Sequence, residues 1–180
     1  MIVQETPLKG LVIIENKIFK DERGYFFECY NRKEIKKHHI DYDFVQDNVS
    51  MSLKNVIRGL HFQNPPHAQG KLVSVIKGAV LDVAVDIRTG SPTYGKHFSL
   101  ILSSKNNKSL WIPEGFAHGF LSLENETCFL YKCTNFYHKE SEDSLSWNDP
   151  DLNIDWGITN PIVSPKDNLA QTFKNFKSPF

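Results

Sequence analysis

The stretch Arg58-Gly-Leu-His61-Phe-Gln-Asn-Pro-Pro-His67-Ala-Gln-Gly-Lys71-Leu sets a cation, a candidate base and a second cation around a Pro-Pro break. A site that holds an anionic ligand while a proton leaves carbon needs those residue types. Histidine titrates near neutral pH and is a common general base, and a fixed cation stabilises negative charge that develops in a transition state. The β-branched and apolar runs Val56–Phe62 and Leu72–Ile76 read as strands, and Asn64-Pro65-Pro66 between them cannot continue a ladder, so a loop joins the two. Strict alternation would send Arg58 and His61 to opposite faces, because an odd number of positions separates them. Gly59 offers the remedy: a glycine within a strand predicts a bulge, which adds one residue and turns both side chains toward one pocket.

The elements that must position these residues are strands. From Val56 to about Cys133 the runs Lys71–Lys77, Ala79–Ile87, His97–Leu102, Ser109–Ile112, His118–Leu123 and Thr127–Cys133 are separated by Gly, Pro, Ser and Asn. Many short strands with one minor helix predict an all-β barrel or sandwich of the jelly-roll kind. Ala79–Ile87 carries Leu81, Val83, Val85 and Ile87 on one face and Asp82 and Asp86 on the other. Buried carboxylates need partners, so these are expected to meet water or a cation such as Arg58 or Lys71. Pro113-Glu-Gly115-Phe-Ala-His118 reads as a turn leading into a strand with His118 facing inward, and Tyr131 projects with Phe129 from a strand expected to neighbour it.

Before this block, Leu11–Ile14 is a short apolar run, and Tyr25–Tyr30 reads as a strand with Phe26 and Glu28 on one face, after the turn that holds Arg23. Asn31–His39 has an N-capping asparagine, good helix formers and a single apolar residue, Ile35, which predicts a short surface helix with His38 and His39 facing solvent. Gln46-Asp47-Asn48 gives a turn signal on the approach to a strand. Beyond Tyr137 the chain is polar and irregular, and Trp147 and Trp156 are expected to pack an extended C-terminal arm back on the barrel.

Composition sets bounds. A length of 180 residues suits one domain. Lys+Arg and Asp+Glu both count 21, so no basic excess favours nucleic acid and an anionic ligand must be met by a local cluster. No basic segment precedes a long apolar core near the N-terminus and no run reaches about 18 apolar residues, so neither a signal peptide nor a membrane span is expected, and the location expected is cytoplasmic. Three cysteines are an odd count without a CxxC pair. Cys128 and Cys133 have opposite parity on one strand, which predicts reduced thiols.

Together Phe44-Val-Gln46-Asp47-Asn48-Val-Ser50, Arg58-Gly-Leu-His61-Phe-Gln63, Pro66-His-Ala-Gln69-Gly70-Lys71-Leu-Val73, Asp82-Val-Ala-Val-Asp86-Ile-Arg88, Trp111-Ile-Pro-Glu-Gly-Phe-Ala-His118-Gly119-Phe120, Tyr131-Lys132-Cys133 and Trp147-Asn-Asp-Pro150 resemble the dTDP-4-dehydrorhamnose 3,5-epimerases from about Asp21 to Asp167. The resemblance implies a cupin fold, a double-stranded β-helix, and a homodimer whose N-terminal strands cross to the partner. It implies a reaction at the two carbons that flank the keto group of a nucleotide-linked 4-keto-6-deoxyhexose. In that reading His61 is the base, oriented by the carboxylate of Asp167, with Asp82 a rival for that place. Tyr131 is the acid on the opposite face, and Lys71 meets the enolate oxygen. Arg23, Glu28, Gln46, Asp47, Asn48 and Arg58 match positions that contact the nucleotide sugar, as do His118, Glu142 and Lys166. Tyr137 matches the residue that stacks on thymine, and Arg23 and Glu28 would serve the partner's site. The tail departs from the family pattern at Gly157 and Pro165, and His138-Lys139 follows Tyr137 where a Pro-containing turn is usual.

Other tasks fit parts of this pattern. A metal-dependent cupin could use His61, His67 and His118, but Gln63 stands where the second histidine of a His-x-His pair would be, and the expectation is no metal and no cofactor. The same acid–base set would serve inversion at one carbon only, or another nucleotide sugar. A binding module would need no acid–base pair.

Overall fold

The computed structural model describes residues 1–180. Fourteen strands and two short α-helices follow in the order β1 (Ile2–Glu5), β2 (Val12–Glu15), β3 (Phe19–Asp21), β4 (Gly24–Phe26), α1 (Arg32–Lys36), β5 (Gln46–Ser52), β6 (Val56–Gln63), β7 (Lys71–Lys77), β8 (Ala79–Asp86), β9 (His97–Ser103), β10 (Lys108–Ile112), β11 (Phe116–Ser122), β12 (Thr127–Cys133), β13 (Glu142–Ser144), β14 (Ile162–Val163) and α2 (Pro165–Asn168). One sheet runs β1-β2-β10-β7-β12-β5; the other runs β13-β6-β11-β8-β9, with β14 also paired to β6. Consecutive strands β6 and β7 therefore lie in different sheets, which is how the Pro-Pro loop is used. The pattern is a jelly roll of the cupin type.

Alternation along the strands sorts side chains into three cores. Val73, Val75, Val80, Ala84, Phe120 and Phe129 meet between the sheets. The opposite face of the second sheet buries Ile57, Leu60, Val83 and Val85 under Leu145, Leu152, Trp156 and Phe176 of the C-terminal arm. Leu145 is fully buried and Trp156 is 5% exposed, and each such side chain contributes about 1.5–3 kcal/mol by leaving water. On the outer face of the first sheet, α1 covers Ile14, Leu72 and Trp111 with Ile35. Asn31 caps that helix by accepting from Glu34 N at 3.2 Å. Five residues are too few for a free-standing helix, so the burial of Ile35 is what holds it.

Several expectations are corrected here. The Tyr25–Tyr30 strand shrinks to Gly24–Phe26, because its only strand partner is β3 and that short hairpin forms a ladder with neither sheet. Gln46-Asp47-Asn48 opens β5 instead of forming a turn. An additional strand, Ile2–Glu5, pairs with β2. The Tyr131 strand does not neighbour the His118 strand: β12 pairs with β5 and β7, while β11 pairs with β6 and β8 in the other sheet. Asp86 is held by Arg88, Ser91 and Thr93, and Asp82 by His118, in place of Arg58 or Lys71. Both partners come from turns and registers that strand parity does not encode.

Candidate active site

The site begins at the bulge. Along β6 and β11 the register pairs His118 with His61 and Phe120 with Arg58, so three steps on β6 match two on β11. Gly59 has φ +128°, and a Cβ there would collide with Gly119 Cα and lie 2.8 Å from His118 O. Only glycine fits that approach. With the phase shifted, Arg58 and His61 line the same cavity, as the glycine predicted.

His61 Nε2 lies 2.6 Å from Oδ1 of Asp167, and the other carboxylate oxygen, Oδ2, accepts from Gly59 N at 3.4 Å. Asp167 sits in α2, whose N-cap Ser164 accepts from Asp167 N at 3.1 Å and whose first residue is Pro165. Burial alone would raise the pKa of Asp167, but the hydrogen bond and charge of His61 and the Gly59 amide outweigh it and hold the carboxyl below its ordinary range. Asp82, the rival for this place, is instead 3.0 Å from His118 Nε2. Two carboxylate-backed imidazoles thus stand side by side on one wall, and no protein group binds the Nδ1 of either.

The opposite wall belongs to the other sheet. Tyr131 on β12 and Lys71 on β7 face His61 across two adjoining chambers of about 120 and 260 Å³, and both residues line both chambers. Burial depresses the Lys71 pKa, an effect only partly offset by Cys133, Asp82 and Glu142. Burial also raises the Tyr131 pKa, against the pull of Arg58, so the phenol stays protonated well past neutral pH. Cys133, the register partner of Lys71, lines the smaller chamber, and burial pushes its thiol up as well. All three cysteines are free.

At the mouth of the smaller chamber Tyr137 stands exposed, its amide donating to Gln46 Oε1 at 2.8 Å and its hydroxyl to Glu142 Oε2 at 3.0 Å. Gln46 donates on to Asn48 at 3.0 Å. Lys166 reaches Glu142 at 2.5 Å. Burial would raise the pKa of Glu142, but Lys166 and Tyr137 outweigh it and lower the carboxyl. Arg58, on the larger chamber, is steadied by Ser52 Oγ at 3.1 Å and Met51 O at 3.2 Å.

Asp47, expected as a substrate contact, is not brought to this cavity, and Arg23 and Glu28, expected to serve a partner's site, do not line it. Asp47 lies on the other face of β5 from Gln46 and Asn48 and pairs with Lys132 at 2.7 Å, as alternation requires. Arg23 pairs with Asp21 in the exposed hairpin, and Glu28 accepts from Asn31 at 3.2 Å beside α1. One residue the sequence reading undervalued is Gln63. It donates to His67 O at 2.6 Å and accepts from His138 N at 2.8 Å, pinning two rim loops; its place two residues after His61 on one strand face was the available signal. No group of three or more His, Cys, Asp or Glu side chains converges where it could hold a metal ion.

Fold and site together define a cupin-type jelly roll whose cavity is equipped for acid–base chemistry. Residues 5–175 match the family model described as dTDP-4-dehydrorhamnose 3,5-epimerase. The epimerase of that name from Salmonella typhimurium is 51% identical over 172 residues, covering 94% of each chain. Among solved structures, the dTDP-4-dehydrorhamnose 3,5-epimerase of Elizabethkingia anophelis has a TM-score of 0.93 at 50% identity over 97% of each chain. The dTDP-6-deoxy-D-glucose-3,5-epimerase of Legionella pneumophila, in complex with dTDP-4-keto-L-rhamnose, has a TM-score of 0.93 at 48% identity over 97% of this chain and 94% of that one. The chain belongs to the dTDP-4-dehydrorhamnose 3,5-epimerase family.

Proposed function

We propose that the protein inverts carbons 3 and 5 of dTDP-4-dehydro-6-deoxy-D-glucose to give dTDP-4-dehydro-L-rhamnose, the epimerisation step of dTDP-rhamnose biosynthesis, with no cofactor. The observation that carries this reading is His61, backed by Asp167, on one wall of a cavity whose other wall presents Tyr131. The 4-keto group makes the protons on both neighbouring carbons removable, since each carbanion delocalises onto oxygen as an enolate. His61 accepts the proton through Nδ1, the nitrogen that Asp167 leaves free. Lys71 meets the enolate oxygen, and the burial that depresses its pKa also strengthens its attraction for that charge. Tyr131 returns a proton from the opposite side, and the centre is inverted.

For the nucleotide, Tyr137 is the exposed aromatic face that would stack on thymine. Arg58, Lys166, Gln46, Asn48, His118 and Glu142 are the polar groups within reach of the diphosphate and sugar; Arg suits a diphosphate because its fork makes paired charge-assisted bonds. Arg23 and Glu28 fit the same reading in a homodimer that exchanges N-terminal strands, where the β3–β4 hairpin enters the partner's cavity. In support, Phe19, Tyr25 and Phe26 of that hairpin are 53%, 58% and 65% exposed in the single chain, an apolar surface that a partner would cover. We also place the enzyme in the cytoplasm as one catalytic domain: three free thiols suit a reducing compartment, and no helix is long and apolar enough to cross a membrane.

The test is incubation with dTDP-4-keto-6-deoxyglucose in deuterated water. Deuterium at carbons 3 and 5 with an L-configured product is expected. Label at one carbon alone would refute the double inversion, and no label would refute the substrate.

A further inference from the structure

Two loops meet at the rim of the smaller chamber: the Pro-Pro loop, residues 64–70, and the segment 134–141 that carries Tyr137. Backbone bonds tie them, from Asn64 N to Ser141 O at 2.7 Å and from Thr134 N to Gly70 O at 3.0 Å. Gln69 adds a bond to Asn135 O at 2.7 Å, and Gln63 grips both loops as described above. The rings of His67 and His138 complete the junction, face to face with centroids 3.8 Å apart and planes 10° from parallel. Neither ring lines a chamber, so the pair stands outside the acid–base machinery.

Histidine is the side chain whose charge changes between pH 5 and 8, and two imidazolium rings at this spacing repel. The groups around the pair decide which proton can be accommodated. On its own loop His138 Nδ1 lies 3.0 Å from Ser141 Oγ and 3.6 Å from Glu140 Oε2, while Lys139 is exposed. From β13, Glu142 is engaged by Lys166 and Tyr137; from β6, His61 is engaged by Asp167. The Pro-Pro loop brings no ionisable side chain but His67 itself. One charge on His138 is therefore met by Glu140. A second, on His67, faces a cation at 3.8 Å with no carboxylate of its own to answer it.

We infer that the His67–His138 stack positions Tyr137 for the nucleotide base and releases it when both rings carry a proton, so that acid weakens nucleotide binding through the rim. This rests on the reading that Tyr137 stacks on thymine. Tyr137 immediately precedes His138, and its amide is held by Gln46 Oε1 at 2.8 Å. Its ring is 54% exposed, so its place depends on the loop that carries it. The stack is where that loop meets a second one. Parting the rings frees the platform and leaves His61, Lys71 and Tyr131, which sit on sheet strands, where they are. His138 is also one of the residues at which the chain departs from its family's pattern, so the switch is a property of this chain.

The test is calorimetric binding of dTDP-glucose at pH 7.5 and pH 5.0 to wild type, His67→Phe and His67→Ala. Both phosphates of this ligand are esterified and keep their charge over that range. His61 and His118 are common to all three proteins, so differences between the proteins report the pair. Phenylalanine keeps an aromatic face against His138 but takes no proton. His67→Phe should bind like wild type at pH 7.5 and lose about fivefold to tenfold less affinity at pH 5.0, the scale of one like-charge contact at this separation in water. His67→Ala, with no ring to stack, should bind more weakly than wild type at pH 7.5 and change with pH as His67→Phe does. Amide exchange reads the rim without ligand. The protection factors of Asn64 and His138, whose N–H groups bridge the loops, should fall from pH 7.5 to pH 5.0 in wild type and hold in His67→Phe. Equal acid loss of affinity in wild type and His67→Phe, or acid weakening with full protection at those amides, would overturn the inference. If dTDP-glucose does not bind wild type at pH 7.5 while the amides still open in acid only when His67 is present, the nucleotide reading is wrong and the charge-sensitive rim stands.

Discussion

Asp167→Asn is the most discriminating change in the acid–base machinery, because the two oxygens it replaces have two different donors. Oδ1 faces His61 Nε2 at 2.6 Å, and Oδ2 faces the Gly59 amide at 3.4 Å. Asparagine has one oxygen and one NH2, so it cannot accept from both. If its oxygen turns to His61, its NH2 points at the Gly59 N–H, donor against donor, beside the bulge that aligns the site. If its oxygen turns to Gly59, the NH2 donates to His61 Nε2, and the ring must carry its proton on Nδ1, the atom needed as base. Either way the productive tautomer is lost or its support is strained. Losing a positioned general base reduces rate about 10²–10⁴-fold, or about 3–5 kcal/mol of transition-state stabilisation. The assay is the rate of deuterium wash-in at carbons 3 and 5, followed by NMR, with calorimetric dTDP affinity and a melting curve as controls. Affinity should be nearly unchanged, since no nucleotide contact is removed. Wash-in within tenfold of wild type, in a folded variant with normal dTDP affinity, would show that Asp167 does not set the state of His61.

Other outcomes follow from the same geometry. Tyr131→Phe should let His61 exchange protons with solvent while inversion falls by at least about 10²-fold, a separation read by comparing deuterium content with product configuration; equal loss of both would place the phenol elsewhere in the mechanism. Since burial depresses the Lys71 pKa and raises that of Tyr131, the alkaline limb of the kcat profile should fall below the ordinary lysine value of 10.5, and Lys71→Met should abolish that limb along with most activity. Asp86, fully buried, has its carboxyl lowered from 3.8 to about 2: burial alone would raise it, but Arg88, Ser91 and Thr93 prevail. A depressed carboxylate contributes stability above its unfolded pKa that is lost as pH falls through the folded one. Asp86→Asn should therefore cost about 2 kcal/mol in urea unfolding at pH 6 and very little near pH 2. Gly59→Ala, which forces a Cβ against Gly119 and strains a positive φ, should destabilise by about 2–4 kcal/mol in the same assay.

The sequence alone determined the strands from Val56 to Cys133, the loop at Pro65-Pro66, the short helix held by Ile35 and the bulge at Gly59, because alternation, turn chemistry and glycine's backbone freedom act over a few residues. It also supplied the residue types for the chemistry, and with the family resemblance their roles. The tertiary structure alone decided which charge answers which. Asp167 reaches His61 across 106 positions of sequence, while Asp82, much nearer in the chain, goes to His118. Parity told that Asp82 faces inward, but the identity of its partner depends on β8 lying beside β11, a pairing between distant strands. The same holds for Tyr131, which faces His61 because β12 belongs to the other sheet. Asp47 was legible in principle, since alternation separates it from Gln46 and Asn48 once β5 is known to begin there; read as a turn, the segment gave no parity to use. Local rules place a side chain on a face, and only the closure of the two sheets determines what that face meets.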